Sequence, residues 1–360
     1  MTVEGVAAMA GHLTRKQILL YGAALGVAGV GLTWAFHDVD FRQVWAEVAR
    51  LGPAVTWVLV PYGVSVLFDG MGLRRILAAL GRGAQTLRLV SIRFASEALT
   101  FSVPGGAVLS DGARLMFLQS RCDVPVTEGV SSLAARKCLA LKGHGVFLAI
   151  STALGWGFLS ARSKDLLGIP GLPVFLGGTA VVLLLVAAGT GKALSGGGTA
   201  ARLGMLLERL PMRALRAWLE RRRAAFSQTD THLGRALERR AGGRAAPYYL
   251  LMWLAEGVEG YLMLRLLGLP VSFFDAMAIE AVISVARSAA FFVPAGLGIQ
   301  DASYVALLSA GGKGASLEMA ATFALLKRAR ELFWMGLGFA LLLHGRARQP
   351  RVIAARSATG

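Results

Sequence analysis

Cysteine is almost absent: Cys122 and Cys138 are the only two in 360 residues. They lack CxxC spacing, so neither a disulfide scaffold nor a zinc site is expected. The five histidines are scattered and form no HExxH pattern, and neither a cofactor nor a catalytic residue announces itself. Charge is scarce too. Charged residues make up 16% of the chain against 55% hydrophobic, with mean hydropathy +0.58, whereas a soluble domain keeps about 25% charged. Acidic residues are fewest, 21 against 38 Lys and Arg, for a net charge of +17. That surplus does not point to nucleic acid, because no aromatic-rich basic motif accompanies it.

What is abundant is apolar length. Runs near 17–36, 53–79, 86–103, 126–158, 172–191, 247–268, 271–293 and 316–344 approach or exceed the roughly 20 residues that cross a bilayer. The expected fold is an all-α polytopic membrane protein of about eight transmembrane segments. Arg15 and Lys16 precede the first run, which is too long for a signal peptide's core and is read as a retained helix. The stretch 192–246 carries Arg202, Arg209, Arg213, Arg216, Arg221, Arg222, Arg223, Arg235, Arg239 and Arg240. Such a loop marks the cytoplasmic side and can rest on anionic lipid. Together with Arg74, Arg75, Arg82 and Arg88, and a basic tail at Arg346, Arg348 and Arg351, it places both termini in the cytoplasm.

Within this frame one pattern occurs twice. FSVPGGAVLSD at 101–111 aligns without gaps on FFVPAGLGIQD at 291–301, an offset of 190. The identical pairs include Pro104/Pro294, Gly106/Gly296 and Asp111/Asp301, and at the same offset Glu128/Glu318 and Lys137/Lys327. Positive charges make the units 53–158 and 247–344 run in opposite directions across the membrane, with one unpaired helix between them. Inverted repeats with helices broken near the midplane are characteristic of transporters. Each break, Pro/Gly-broken or re-entrant, is expected to be buried in protein or to line a wet cavity. Each following short helix points a partly positive N-terminus there.

The spans also hold charge, which costs at least about 2.5–3.5 kcal/mol per central residue and so requires a partner or a purpose. Arg93 and Glu97, and likewise Lys327 and Glu331, are spaced to pair along one helix face. Arg114 is placed to neutralise Asp111. Glu256 and Glu259 lie one turn apart and require partners elsewhere or a proton. His144 reads as a packed, uncharged residue. Arg136 and Lys137 in one unit, and Lys327 and Arg328 in the other, are expected to form a cationic midplane pocket. The candidate substrate-binding set is Pro104, Gly106, Asp111, Arg114, Arg136, Lys137, Pro294, Gly296, Gly298, Asp301, Lys327 and Arg328. Arg offers phosphate a bidentate fork and Lys a mobile point charge.

The P-x-G-x-G-x-x-D stretch at Pro294–Asp301, the P-G-G followed by D-G-A-R (Asp111–Arg114), and the basic pair in the next helix resemble the lysylphosphatidylglycerol synthase transmembrane, or flippase-like, family. The resemblance covers about 20–345. It implies a protein that moves phospholipids or related amphiphiles between leaflets of a bacterial inner membrane, with lipid headgroups, anionic or zwitterionic, as partners. The chain stops at Gly360 without room for the aminoacyl-transfer domain of the synthases, so aminoacylation is not expected. AARKCLAL at 134–141 departs from the single Arg followed by an acidic residue that is commoner in the family. A membrane-embedded headgroup enzyme is the rival reading, with Glu256/Glu259 its nearest candidate pair. A third is a non-transporting partner in lipid or envelope metabolism, docking a biosynthetic protein or a second copy.

Overall fold

The computed structural model describes residues 15–102, 106–198, 223–291, 293–310 and 315–347. The described residues are helical and contain no strand. In chain order the helices are α1 (Arg15–Phe36), α2 (Phe41–Leu51), α3 (Leu59–Ala79), α4 (Thr86–Ser102), α5 (Gly106–Cys122), α6 (Val126–Leu154) and α7 (Trp156–Leu167). They continue with α8 (Leu172–Ser195), α9 (Arg223–Leu237), α10 (Arg239–Leu266), α11 (Phe273–Ala289), α12 (Ile299–Ser309) and α13 (Leu317–Ala347). Short 3₁₀ turns precede α3 and α12.

Two segments are by length and composition able to cross a membrane alone, Phe41–Ala79 and Leu172–Ser195. The first has 39 residues, about 58 Å if straight, but Gly52 leaves helical geometry with φ 51 and ψ −140, which sets α2 apart from α3. A third segment is bent. The sequence reads 126–158 as one span, whereas the helix stops at Leu154 and α7 departs at 82°. Gly155 sits at the bend, where a Cβ would come within 2.5 Å of the Ala278 Cβ on α11. The long helices α10 and α13 carry more charge than a free-standing span holds, and Glu259 on α10 and Lys327, Arg330 and Glu331 on α13 are buried between helices.

The offset of 190 extends beyond the motif into packing. Leu73, Leu77, Leu89, Leu118 and Leu133 form one buried cluster across α3–α6. Their counterparts Met263, Leu267, Ile279, Leu308 and Phe323 form another across α10–α13. A Cβ at Gly70 would meet the Val90 side chain at 3.0 Å, and one at Gly260 would meet Glu280 at 2.5 Å; both pairs share the offset.

Contacts between the two units are reciprocal as well. His144 of α6 stacks on Trp253 of α10 at 4.0 Å and hydrogen-bonds Ser284 of α11 at 2.8 Å. At the matched positions Trp334 of α13 stacks on Phe94 of α4 at 4.5 Å and lies against Gly63 of α3. Helix α6 therefore rests on α10 and α11, and α13 on α4 and α3, at positions matched by the offset of 190.

The basic stretch is partly folded. Leu233 and Ala236 of α9 are buried against α6 and α10, and the Ser131 hydroxyl donates to the Thr229 carbonyl at 2.9 Å. Arg202, Arg209, Arg213, Arg216, Arg221 and Arg222 lie outside the described residues.

Candidate functional site

The break in the second unit shows what its residues do. After α11, Ala295 and Gly296 adopt positive φ (53 and 58) and Gly298 adopts φ 77, so the chain cannot continue as a helix. The freed carbonyls are answered by one side chain. Arg328 Nη1 donates to the Ala295 carbonyl at 2.9 Å and Nη2 to that of Gly296 at 3.3 Å. The same guanidinium grips Asp301 with two bonds of 2.8 Å, while Asp301 Oδ2 accepts from the Gly298 N–H at 2.9 Å at the start of α12. Helix α1 covers this turn: Gly31 and Gly298 lie so close that a Cβ on either would fall within 3 Å of the other helix's backbone. Pro294 opens the 3₁₀ turn.

Deeper in the second unit the charges interlock. Lys327, 1% exposed, reaches Glu280 at 2.8 Å and Glu259 at 3.4 Å. Arg330 reaches Glu259 at 3.0 Å and Glu331 at 3.8 Å, and Arg328 also binds Glu331 at 2.6 Å. Gln300 donates to Glu331 at 3.0 Å, the Tyr304 hydroxyl donates to Glu280 at 2.8 Å, and Arg287 pairs with Glu256 at 3.1 Å. The two acids one turn apart on α10 thus each have cations elsewhere. The spacing-based pair Lys327–Glu331 does not form, because Lys327 turns toward α10 and α11.

The first unit has a smaller cluster around Asp69, 2% exposed on α3. Arg136 binds it at 2.6 Å, Arg93 approaches at 3.6 Å and Arg114 at 3.9 Å. Arg93 also holds Glu97 at 2.9 Å. Arg114 therefore does not neutralise Asp111; Asp111 pairs with Lys137, which is 60% exposed. Gly106 begins α5, and Pro104 lies outside the described residues.

The structure thus brings together Arg114 and Arg136 in one cluster, and Asp301, Arg328, Gly296 and Gly298 in another around the break. Lys327 belongs to the charge cluster beside it, and Lys137 with Asp111 stands at the edge. The clusters approach each other where the Arg330 guanidinium lies over the Tyr62 ring of α3 at 4.4 Å. Asp69 is the residue that charge inspection of the sequence passed over. Its signal was present: Asp69-Gly70 and Glu259-Gly260 are matched at the offset of 190.

Charge counting gives the arrangement its chemistry. The first cluster holds Asp69 and Glu97 against Arg93, Arg114 and Arg136, a surplus of one positive charge. The second holds Glu256, Glu259, Glu280, Asp301 and Glu331 against Arg287, Lys327, Arg328 and Arg330, a surplus of one negative charge. Arg114 is the least matched cation: it is 2% exposed and its Nη2 has no hydrogen-bond partner. Among the described residues no group of three or more His, Cys, Asp or Glu is placed to hold a metal ion.

No curated protein matches the chain. The family model for the lysylphosphatidylglycerol synthase TM region matches residues 20–338, which include the first unit, all but the last six residues of the second, the break and both charge clusters. The chain belongs to the lysylphosphatidylglycerol synthase transmembrane-region family.

Proposed function

We propose that the chain is a lipid flippase-like transporter, moving a phospholipid or related amphiphile between leaflets of a bacterial inner membrane without covalent chemistry. The observation that carries the reading is the weakly paired, buried Arg114, which reaches Asp69 only at 3.9 Å and Ser96 at 3.4 Å and keeps one nitrogen, Nη2, without a partner. Ionisable groups buried in a membrane protein mark pathways for polar cargo, and a guanidinium with a free N–H suits a phosphate oxygen. The headgroup phosphate engages Arg114, with Arg93 and Arg136 alongside, while the acyl tails stay in lipid. Lys327 and Arg328, with Asp301, Gly296 and Gly298, form the opposing face; their charges are matched at rest, so they brace that face rather than offer a bare cationic pocket. The units 53–158 and 247–344 are inverted about the midplane, within about eight spans and with both termini cytoplasmic. Rocking of one against the other exposes the site to each leaflet in turn.

The test is a leaflet-accessibility assay on proteoliposomes with fluorescent lipids of varied headgroup. Headgroup-selective movement is expected, lost in Arg114→Gln and kept in Lys137→Gln. Movement unchanged by Arg114→Gln in folded protein overturns the placement of the headgroup; no movement of any lipid overturns the transport reading.

A further inference from the structure

The negative surplus of the second cluster is as unusual as the positive surplus of the first. Two of its five carboxylates, Glu259 and Glu280, converge on the single ammonium of Lys327. Both are at least nine-tenths buried, and neither oxygen of Glu259 has a well-formed hydrogen bond. At the offset of 190 the first unit places Asp69 where Glu259 stands, but Val90 where Glu280 stands. Glu280 is thus one of three acids of this cluster, with Glu256 and Glu331, whose counterparts in the first unit (Val90, Val66 and Leu141) are apolar; of the three it is the one whose single cation is shared with a second carboxylate.

The groups facing Glu280 can be named from every side. On α10 they are Glu259 and, one turn away, Glu256, which is engaged with Arg287. Tyr304 on α12 contributes its hydroxyl. On α13 Lys327 is in contact, Arg330 stands behind Glu259, and Glu331 is held by Arg328 and Gln300. Glu259 has two cations, Lys327 and Arg330, whereas Glu280 has Lys327 alone. Glu280 also lies against bare Gly260, where any Cβ would displace its carboxylate. A carboxylate that shares its one ammonium with a second buried carboxylate is only partly compensated for several kcal/mol of lost hydration, and binding one proton removes that deficit.

We propose that Glu280 is a proton-binding site, protonated at neutral pH in the conformation described, with its carboxyl group still accepting the hydrogen bond from the Tyr304 hydroxyl. Loading it leaves four carboxylates for four cations in the second cluster. The site is a proton carrier internal to the transport pathway, and its role in coupling rests on the transport reading; its occupancy does not.

Infrared spectroscopy of the purified full chain in ether lipids, which lack an ester carbonyl, tests occupancy directly. At neutral pH the wild type should show the carbonyl stretch of a protonated carboxylic acid, shifting in D₂O. Glu280→Gln should lose the band and Glu128→Gln, at the Arg82 pair, should keep it. Tyr304→Phe should move its frequency by removing the hydrogen bond, which covers the case of a Glu280 variant that does not fold. Absence of any such band in the wild type, its survival in folded Glu280→Gln, or an unmoved band in Tyr304→Phe would each overturn the assignment. None of these readouts requires that any lipid move, so loss of the transport reading and loss of the proton site are separately visible.

Discussion

At the scale of single residues, burial decides what a charge is worth. Asp69 binds the buried Arg136 and is approached by the buried Arg114 and the part-buried Arg93. Asp69→Asn removes the only carboxylate that pairs with Arg136 and Arg114 among the described residues, and stranding buried charge costs about 3–5 kcal/mol. A clear fall in the thermal midpoint of the protein in detergent is expected. Lys137→Gln breaks a pair that is largely exposed and should cost at most about 1 kcal/mol, leaving the midpoint nearly unchanged. If the two variants melt alike, the Asp69 cluster does not hold the first unit together. Residue identity also separates the units: position 114 is Arg where its counterpart, Tyr304, is neutral, and position 97 is Glu where its counterpart is Arg287. Matched backbones therefore carry unmatched charge.

At the scale of elements, the break before α12 joins three segments. Gly298 combines φ 77 with a close approach to α1, where a Cβ would sit 2.3 Å from the Ala28 carbonyl oxygen. Gly298→Ala should destabilise by about 1–3 kcal/mol from backbone strain alone, with more from the clash. Gly31→Ala should also destabilise, whereas Gly29→Ala, with nothing near it, should not. Thermal midpoints of the three variants check this. Equal midpoints for Gly31→Ala and Gly29→Ala would remove α1 from its covering role. The breaker residues were legible in the sequence because Pro and Gly have backbone consequences wherever they stand. Which cation would close the break was not, since Arg328 and Lys327 are neighbours in sequence and turn to different partners. Spacing rules read only within a helix, so they found Arg93–Glu97 and missed Arg114–Asp69, where the partners come from α5 and α3. The bend at Gly155 was hidden for a similar reason: hydropathy runs straight through it, and only the approach of α11 makes the glycine necessary.

At the scale of the whole molecule, the recurring offset joins sequence, core and inter-unit contacts. If the units are inverted, Gln85 before α4 and Ser272 before α11, both exposed and near matched positions, face opposite sides of the membrane. Single cysteines there, in a chain with Cys122 and Cys138 replaced by Ser, should react with a membrane-impermeant thiol reagent from opposite sides in oriented vesicles. Labelling of both from one side would exclude the inverted arrangement. The long apolar spans made a membrane protein evident from composition, yet the number of crossings was harder to read. Helices such as α13 balance their charges against neighbours, so hydropathy alone does not single them out as spans.

The unequal charge of the two units has an electrical consequence. With Glu280 protonated, the second cluster is neutral while the first, with its unmatched Arg114, keeps one positive charge until an anionic headgroup arrives. Carrying one elementary charge across the full bilayer exchanges about 2.3 kcal/mol with the field for each 100 mV. On the transport reading proposed above, an empty first unit that rocks through part of that thickness would feel the membrane voltage, and one neutralised by its cargo would not. The cell's resting potential would then act on the return of the vacant protein and leave the loaded passage untouched.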